Sequence, residues 1–114
     1  MKFALMMSTK PAEAAQLNDA DVQTIEAKHA DLRNVLGLTG EIINGAGLSP
    51  PSETTTVRPS GTTSGPLING DEHVTAYYVI DVASRQRAEE IAARILDDHV
   101  TAVEVRAIHN TNGM

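Results

Sequence analysis

His29 is the side chain whose type and position best suit it to proton chemistry. At about 100° per residue it falls within the arc set by Val22, Ile25, Leu32 and Leu36, so it points with them toward a core. An imidazole placed there needs a hydrogen-bond partner, because an unpaired buried polar group is costly. Burial and a neighbouring acid can together set its pKa near neutrality, where a general acid or base is most useful. The competing reading is a structural histidine bonded to a backbone carbonyl. Two other clusters, Asp71-Glu72-His73 and Asp97-Asp98-His99, set carboxylates beside imidazoles. Neither has the paired-histidine spacing of a zinc site, and acid-rich loops are ordinarily solvated, so no metal is expected.

The elements that must position these residues follow from periodicity and punctuation. Residues 3–7 form a short, continuously apolar run, as expected of a strand covered on both faces. Residues 10–16 read as a polar connection. Asn18 or Asp19 then caps a helix that carries His29 and ends at Gly37 or Gly40. Residues 41–48 read as a strand in which Gly45 and Gly47 mark a bulge or a close backbone approach. Residues 54–57 and 62–67 pair as a hairpin about Ser60-Gly61. In the strand 74–82, Val74, Ala76, Tyr78, Ile80 and Val82 share one face. Ser84 caps a second helix with an apolar stripe of Ala88, Ile91, Ala92, Ile95 and Leu96. A last strand covers 101–109, and 110–114 form a frayed tail. Strand, helix, strand, hairpin insertion, strand, helix, strand is the order of two split βαβ units. It predicts an α+β, ferredoxin-like βαββαβ sandwich spanning 1–109 as one domain, with both helices on one sheet face. The other face is half apolar, and such faces are commonly covered by a second copy.

Bulk properties narrow the function classes. A chain of 114 residues fits one domain and needs no metal or disulfide to fold. Without cysteine there is no disulfide framework, thiolate nucleophile or cysteine-ligated cluster. A net charge of −6 and only 3% aromatic residues argue against nucleic acid as a partner. The apolar start stops at Ser8-Thr9-Lys10-Pro11, too short for a signal peptide, and no stretch approaches a membrane span, so the expected location is cytoplasmic. No phosphate-cradling glycine loop, Gly-x-Ser-x-Gly elbow or Walker motif occurs, so no cofactor is expected.

The segment Thr54-Thr55-Thr56-Val57-Arg58, followed by Gly65-Pro66-Leu67, resembles the YCII-related proteins, in particular the branch with an Asp-Gly-Pro-Phe signature. Lys28-His29-Ala30-Asp31-Leu32, ahead of Gly40 and Leu48-Ser49-Pro50, stands where that family carries a histidine on its first helix. Ser64 replaces the signature aspartate and Leu67 its phenylalanine, and Thr75-Ala76 stands where the branch has Gly-Gly. The resemblance implies a dimeric α+β barrel, two sandwiches pressed sheet to sheet, in which the histidine pairs with an acid. Glu72, just beyond the signature, and Asp98, after the second helix, are the two candidates for that acid. Arg58 could hold a substrate carboxylate or enolate through its fork of donors, or be a strand-edge arginine in a surface ion pair. Arg58, Ser64 and Tyr78 are the candidate ligand contacts. The implied function is a cofactor-free, homodimeric lyase or isomerase moving a proton on a small carbonyl or cyclic compound. A non-catalytic metabolite-binding or regulatory module with the same dimer cavity is the alternative, since one architecture hosts both.

Overall fold

The computed structural model describes residues 1–110, and the tail expected at 110–114 lies outside them beyond Asn110. Six strands and three helices follow in the order β1 (Lys2–Thr9), α1 (Pro11–Ala14), α2 (Asp19–Thr39), β2 (Ile42–Gly47), β3 (Thr55–Arg58), β4 (Gly61–Ser64), β5 (His73–Asp81), α3 (Arg85–Ile95) and β6 (Val100–Ala107). A 3₁₀ turn at Pro51–Glu53 precedes β3. The fold is α+β. Four strands form an antiparallel sheet in the order β2-β5-β1-β6, and β3 with β4 forms a separate two-stranded hairpin. Because β1 and β2 are both antiparallel to β5, they are parallel to each other, and α2 joins them across β5. By the same logic α3 joins β5 to β6 across β1.

One core lies between the helices and one sheet face. Phe3, Leu5 and Met7 of β1 and Tyr78 and Ile80 of β5 meet Leu32 and Leu36 of α2 and Ala88, Ile91, Ala92 and Ile95 of α3. Alternate positions of β1 are buried, as an amphipathic strand requires, and those between them are half-buried. Ala4 and Met6, apolar and half-buried, lie on the face of β1 away from the core. The smallest dimension of the molecule, 19 Å, has room for about one helix layer on one sheet.

The ends of α2 are set by local chemistry. Asn18 Oδ1 accepts from the Asp21 amide at 2.8 Å while the Asn18 amide donates to the Asp21 carboxylate at 3.2 Å, a reciprocal cap. At the other end Gly40 takes φ = 76°, a left-handed conformation that favours glycine. The polar connection at residues 10–16 contains α1, started by Pro11, whose fixed φ suits a first helical turn. Two stripe residues are exposed. Val22 is 39% exposed because the first turns of α2 overhang the sheet, and Leu96 is exposed because α3 ends before it.

The hairpin stands away from the rest. All its strand residues except Thr56 are exposed, and Val57 is 76% exposed. The radius of gyration, 15.4 Å, exceeds the value of about 13 Å for a compact chain of this length. The hairpin base is fastened by the Gly65 amide donating to the Thr54 carbonyl at 2.7 Å and the Thr56 hydroxyl donating to the Gly65 carbonyl at 2.8 Å.

Leaving Gly40, the chain aims Glu41 at α3. Its carboxylate accepts from Arg87 Nε and Nη2, both at 2.9 Å, and from the Thr39 hydroxyl at 2.8 Å. The Arg87 hydrogen bonds hold the Glu41 carboxyl down at about 2, against an ordinary 4.5. A carboxyl depressed on folding stabilises the native state above its unfolded pKa and loses that contribution as pH falls. The melting temperature should therefore drop as pH falls from 4.5 toward 2. In Glu41→Gln the profile should flatten over that window, as measured by thermal melts across an acid pH series.

Candidate functional site

Between α2 and the edge of the sheet lies a cavity of about 750 Å³, within the range of ligand pockets. It exists because the sequence puts small residues under an overhanging helix. Gly45, Ala46 and Gly47 of β2 and Ala76 of β5 line it from the sheet, and Ile25, His29, Ala30 and Arg33 line it from α2. Where α2 meets full-sized side chains, Leu32 and Leu36 close the gap and are buried. On the sheet the Thr9 and Thr75 hydroxyls, which also line the cavity, bond each other at 2.9 Å.

Tyr78 is held against glycine. It pairs in register with Gly45 across β5 and β2, and a Cβ at Gly45 would stand 2.5 Å from Tyr78 Cδ1 and 2.8 Å from the Tyr77 carbonyl oxygen. No side chain fits there, so the close approach that a strand glycine suggests is present. The Tyr78 side chain is thereby laid along the sheet with its hydroxyl at the helix. That oxygen lies 3.4 Å from His29 Nδ1 and accepts from Arg33 Nη1 at 3.4 Å. The His29 and Tyr78 rings meet edge to face, with centroids 6.5 Å apart.

His29 is positioned from the other side by its neighbour. Lys28 reaches across to the end of α3, donating to the Ile95 and Leu96 carbonyls at 3.0 and 2.8 Å and to Asp97 Oδ2 at 3.2 Å. A lysine thus caps the carbonyl end of α3 from another helix. Asp97 in turn accepts from the backbone amides of His99 and Val100, which turns the chain into β6. These donors hold the Asp97 carboxyl below its usual value against the upward push of burial.

The His29 ring is half-buried, and burial is the main reason its pKa lies below the ordinary 6.5. Asp97 pulls it upward, while the charges of Lys28, Arg33 and His99 push it down. The neutral form of the imidazole is favoured accordingly. Among the described residues Tyr78 is its one hydrogen-bond partner, so Nε2 carries none.

Comparison of the chain with protein-family models and with curated proteins returns no match. The site therefore stands on its own geometry.

The structure brings His29 and Tyr78 together and leaves the other sequence candidates elsewhere. Glu72 is exposed and accepts from the Thr101 hydroxyl. Asp98 is exposed beside a neighbouring groove of about 410 Å³, which it shares with Lys28, Asp97 and His99. Arg58 and Ser64 sit on the exposed hairpin. None of these four lines the His29 cavity. Among the described residues no cluster of three or more potential ligands is arranged to hold a metal. Sequence reasoning missed Arg33, which follows His29 by one helical turn, and Asp97, the acid whose charge acts on the ring. The i, i+4 spacing on α2 was the available signal for Arg33.

Gly45 offers a clean test of this geometry. Gly45→Ala should cost about 1–3 kcal/mol by forcing Tyr78 off the strand, and should shift the His29 ring resonances. Gly47→Ala, where nothing lies within 4 Å of the added carbon, should stay within about 0.5 kcal/mol of the parent. Chemical denaturation of both variants, with NMR of the His29 ring, checks the contrast.

Proposed function

We propose that the chain is a small, cofactor-free enzyme of the YCII-related type that uses His29 to move a proton on a small carbonyl or cyclic compound. The observation that carries this reading is a half-buried imidazole lining a cavity of about 750 Å³, whose only hydrogen bond among the described residues is made through Nδ1. With the Nδ1 proton donated to Tyr78, the lone pair of Nε2 is the base. It takes a proton from the carbon next to a carbonyl, and the C–H electron pair moves onto the carbonyl oxygen. The Tyr78 hydroxyl, polarised by the donor from Arg33, stabilises that enolate. Return of the proton to another carbon completes an isomerisation, and loss of a leaving group completes an elimination.

The strand order β2-β5-β1-β6, with antiparallel neighbours throughout, supports a ferredoxin-like sandwich. Pairing of two such sandwiches through their uncovered sheet faces is supported by the two-layer thickness and by Ala4, Met6, Tyr77 and Val79 on the face away from the helices. Light scattering at micromolar concentration should give a dimer mass. Among the described residues no helix is long and apolar enough to cross a membrane.

The metabolite-binding reading is favoured by one observation: among the described residues no carboxylate hydrogen-bonds His29. The test is exchange of the α-protons of cyclohexanone for deuterium, followed by NMR in D₂O. The parent should accelerate exchange, with a rate that rises as pH climbs through the His29 pKa, below the ordinary 6.5, and levels off above it. His29→Gln should lose about 10²–10⁴-fold of that rate while its melting temperature stays close to the parent's. A variant that melts far lower and a parent without exchange would assign His29 to structure.

A further inference from the structure

Arg33 lines the cavity one helical turn beyond His29, and its charge is unanswered. Its one polar contact is the long hydrogen bond to Tyr78, a neutral acceptor at 3.4 Å. Among the described residues no carboxylate lies within ion-pair distance of it. Two other cations on these helices are committed to partners within the fold. Lys28 is taken up by Asp97 and two carbonyls, and Arg87 grips Glu41 with two parallel hydrogen bonds. Glu26 also lines the cavity and forms no ion pair with Arg33.

We propose that the compound bound beside His29 carries a carboxylate, and that Arg33 is the residue that selects it. This rests on the reading of the His29 cavity as a substrate site and adds the substrate's charge to it. A guanidinium presents its donors as a planar fork matched to a carboxylate, the pairing that Arg87 and Glu41 make elsewhere in the molecule. One prong of the Arg33 fork rests on Tyr78, and the rest are free for a ligand. Beside the Thr9 and Thr75 hydroxyls the wall carries Met7, Ile25, Ala76 and Val100, so a hydrocarbon or aromatic body fits the remainder of the ligand. The anion is then held one helical turn from the His29 ring, which puts the reacting carbon a short chain away from the carboxylate. Arg33 binds and orients, and no bond of the substrate is made or broken by it. A chain of net charge −6 repels anions in general, so an exposed arginine that lines a cavity and has no ion pair among the described residues gives selectivity at one place.

The probe pair is 3-benzoylpropionate and its methyl ester, which share a ketone and an aromatic body and differ in the negative charge. Titration into ¹⁵N-labelled protein should give saturable shifts at the Arg33 side chain and at the Gly45 and Gly47 amides with the acid. The ester should bind at least about tenfold more weakly, the least expected for losing a charge-assisted hydrogen bond. Arg33→Gln should weaken the acid by the same factor and leave the ester unchanged, and Arg33→Lys should recover part of the loss. Equal binding of acid and ester, parent-like binding of the acid by Arg33→Gln, or no saturable shift with either probe would overturn the inference. Exchange of the ketone α-protons, read in the same tubes, reports separately on proton transfer. Charge-selective binding without exchange keeps the carboxylate and removes the enzyme, whereas equal exchange of acid and ester keeps the enzyme and removes the carboxylate.

Discussion

The ring of Tyr78 lies on the backbone of β2 at a separation that only glycine allows, with 2.5 Å between Cδ1 and the place a Cβ would occupy at Gly45. That contact does two things at once. It closes the edge of the core beneath α2, since Tyr78 packs with Leu5 and Ile80, and it presents a phenol hydroxyl to the helix above. A residue with any side chain at Gly45 would have to lift the ring, and with it the hydroxyl that both His29 and Arg33 meet. The opposite wall is fixed by Lys28, which ties α2 to the end of α3 one residue before His29. The imidazole is thus hung between two anchored points, and the space left by Gly45, Ala46, Gly47 and Ala76 is the cavity.

Charge around this cavity is distributed unlike the rest of the molecule. The chain as a whole is acidic, yet Lys28 and Arg33 act on His29, and the one acid that does so is already engaged. Asp97 has its oxygens committed to Lys28 and to the amides that open β6, so its influence on the imidazole acts through space. A histidine in such surroundings resists protonation, because burial and the charges of Lys28 and Arg33 favour the neutral ring. That state is the one a proton-abstracting group needs at neutral pH.

Much of the scaffold was legible in the residues because each element announces itself locally. The alternation through Tyr78 and Ile80, the caps at Asn18 and Ser84, and the glycine exit at Gly40 are short-range signals, and the structure uses each of them. His29 facing inward followed from the wheel, and Gly45 followed from the scarcity of reasons to place glycine in a strand. What did not follow depends on contacts between distant segments. Val22 shares the inward arc of α2 but overhangs the sheet, a matter of where the strand edges end rather than of helical phase. The apolar run of β1 reads as doubly covered because sequence alone cannot tell a face packed by helices from one left open. Arg33 carries the ordinary mark of a solvated helix residue, and its place beside Tyr78 emerges only once β5 is set under α2. Arg58 and Ser64 were reached through a resemblance in a segment that folds as an exposed hairpin, so sequence adjacency to a signature did not translate into nearness to His29.

The central claim is that His29 is held neutral in a cavity by burial and by positive neighbours, with Tyr78 as its hydrogen-bond partner. The most direct measurement is the titration of the His29 ring by NMR in the unmodified protein and in Tyr78→Phe. A midpoint below 6.5, with ring resonances that respond to loss of the Tyr78 hydroxyl, is the predicted result. A midpoint at or above 6.5, or a titration that Tyr78→Phe leaves untouched, would contradict the account.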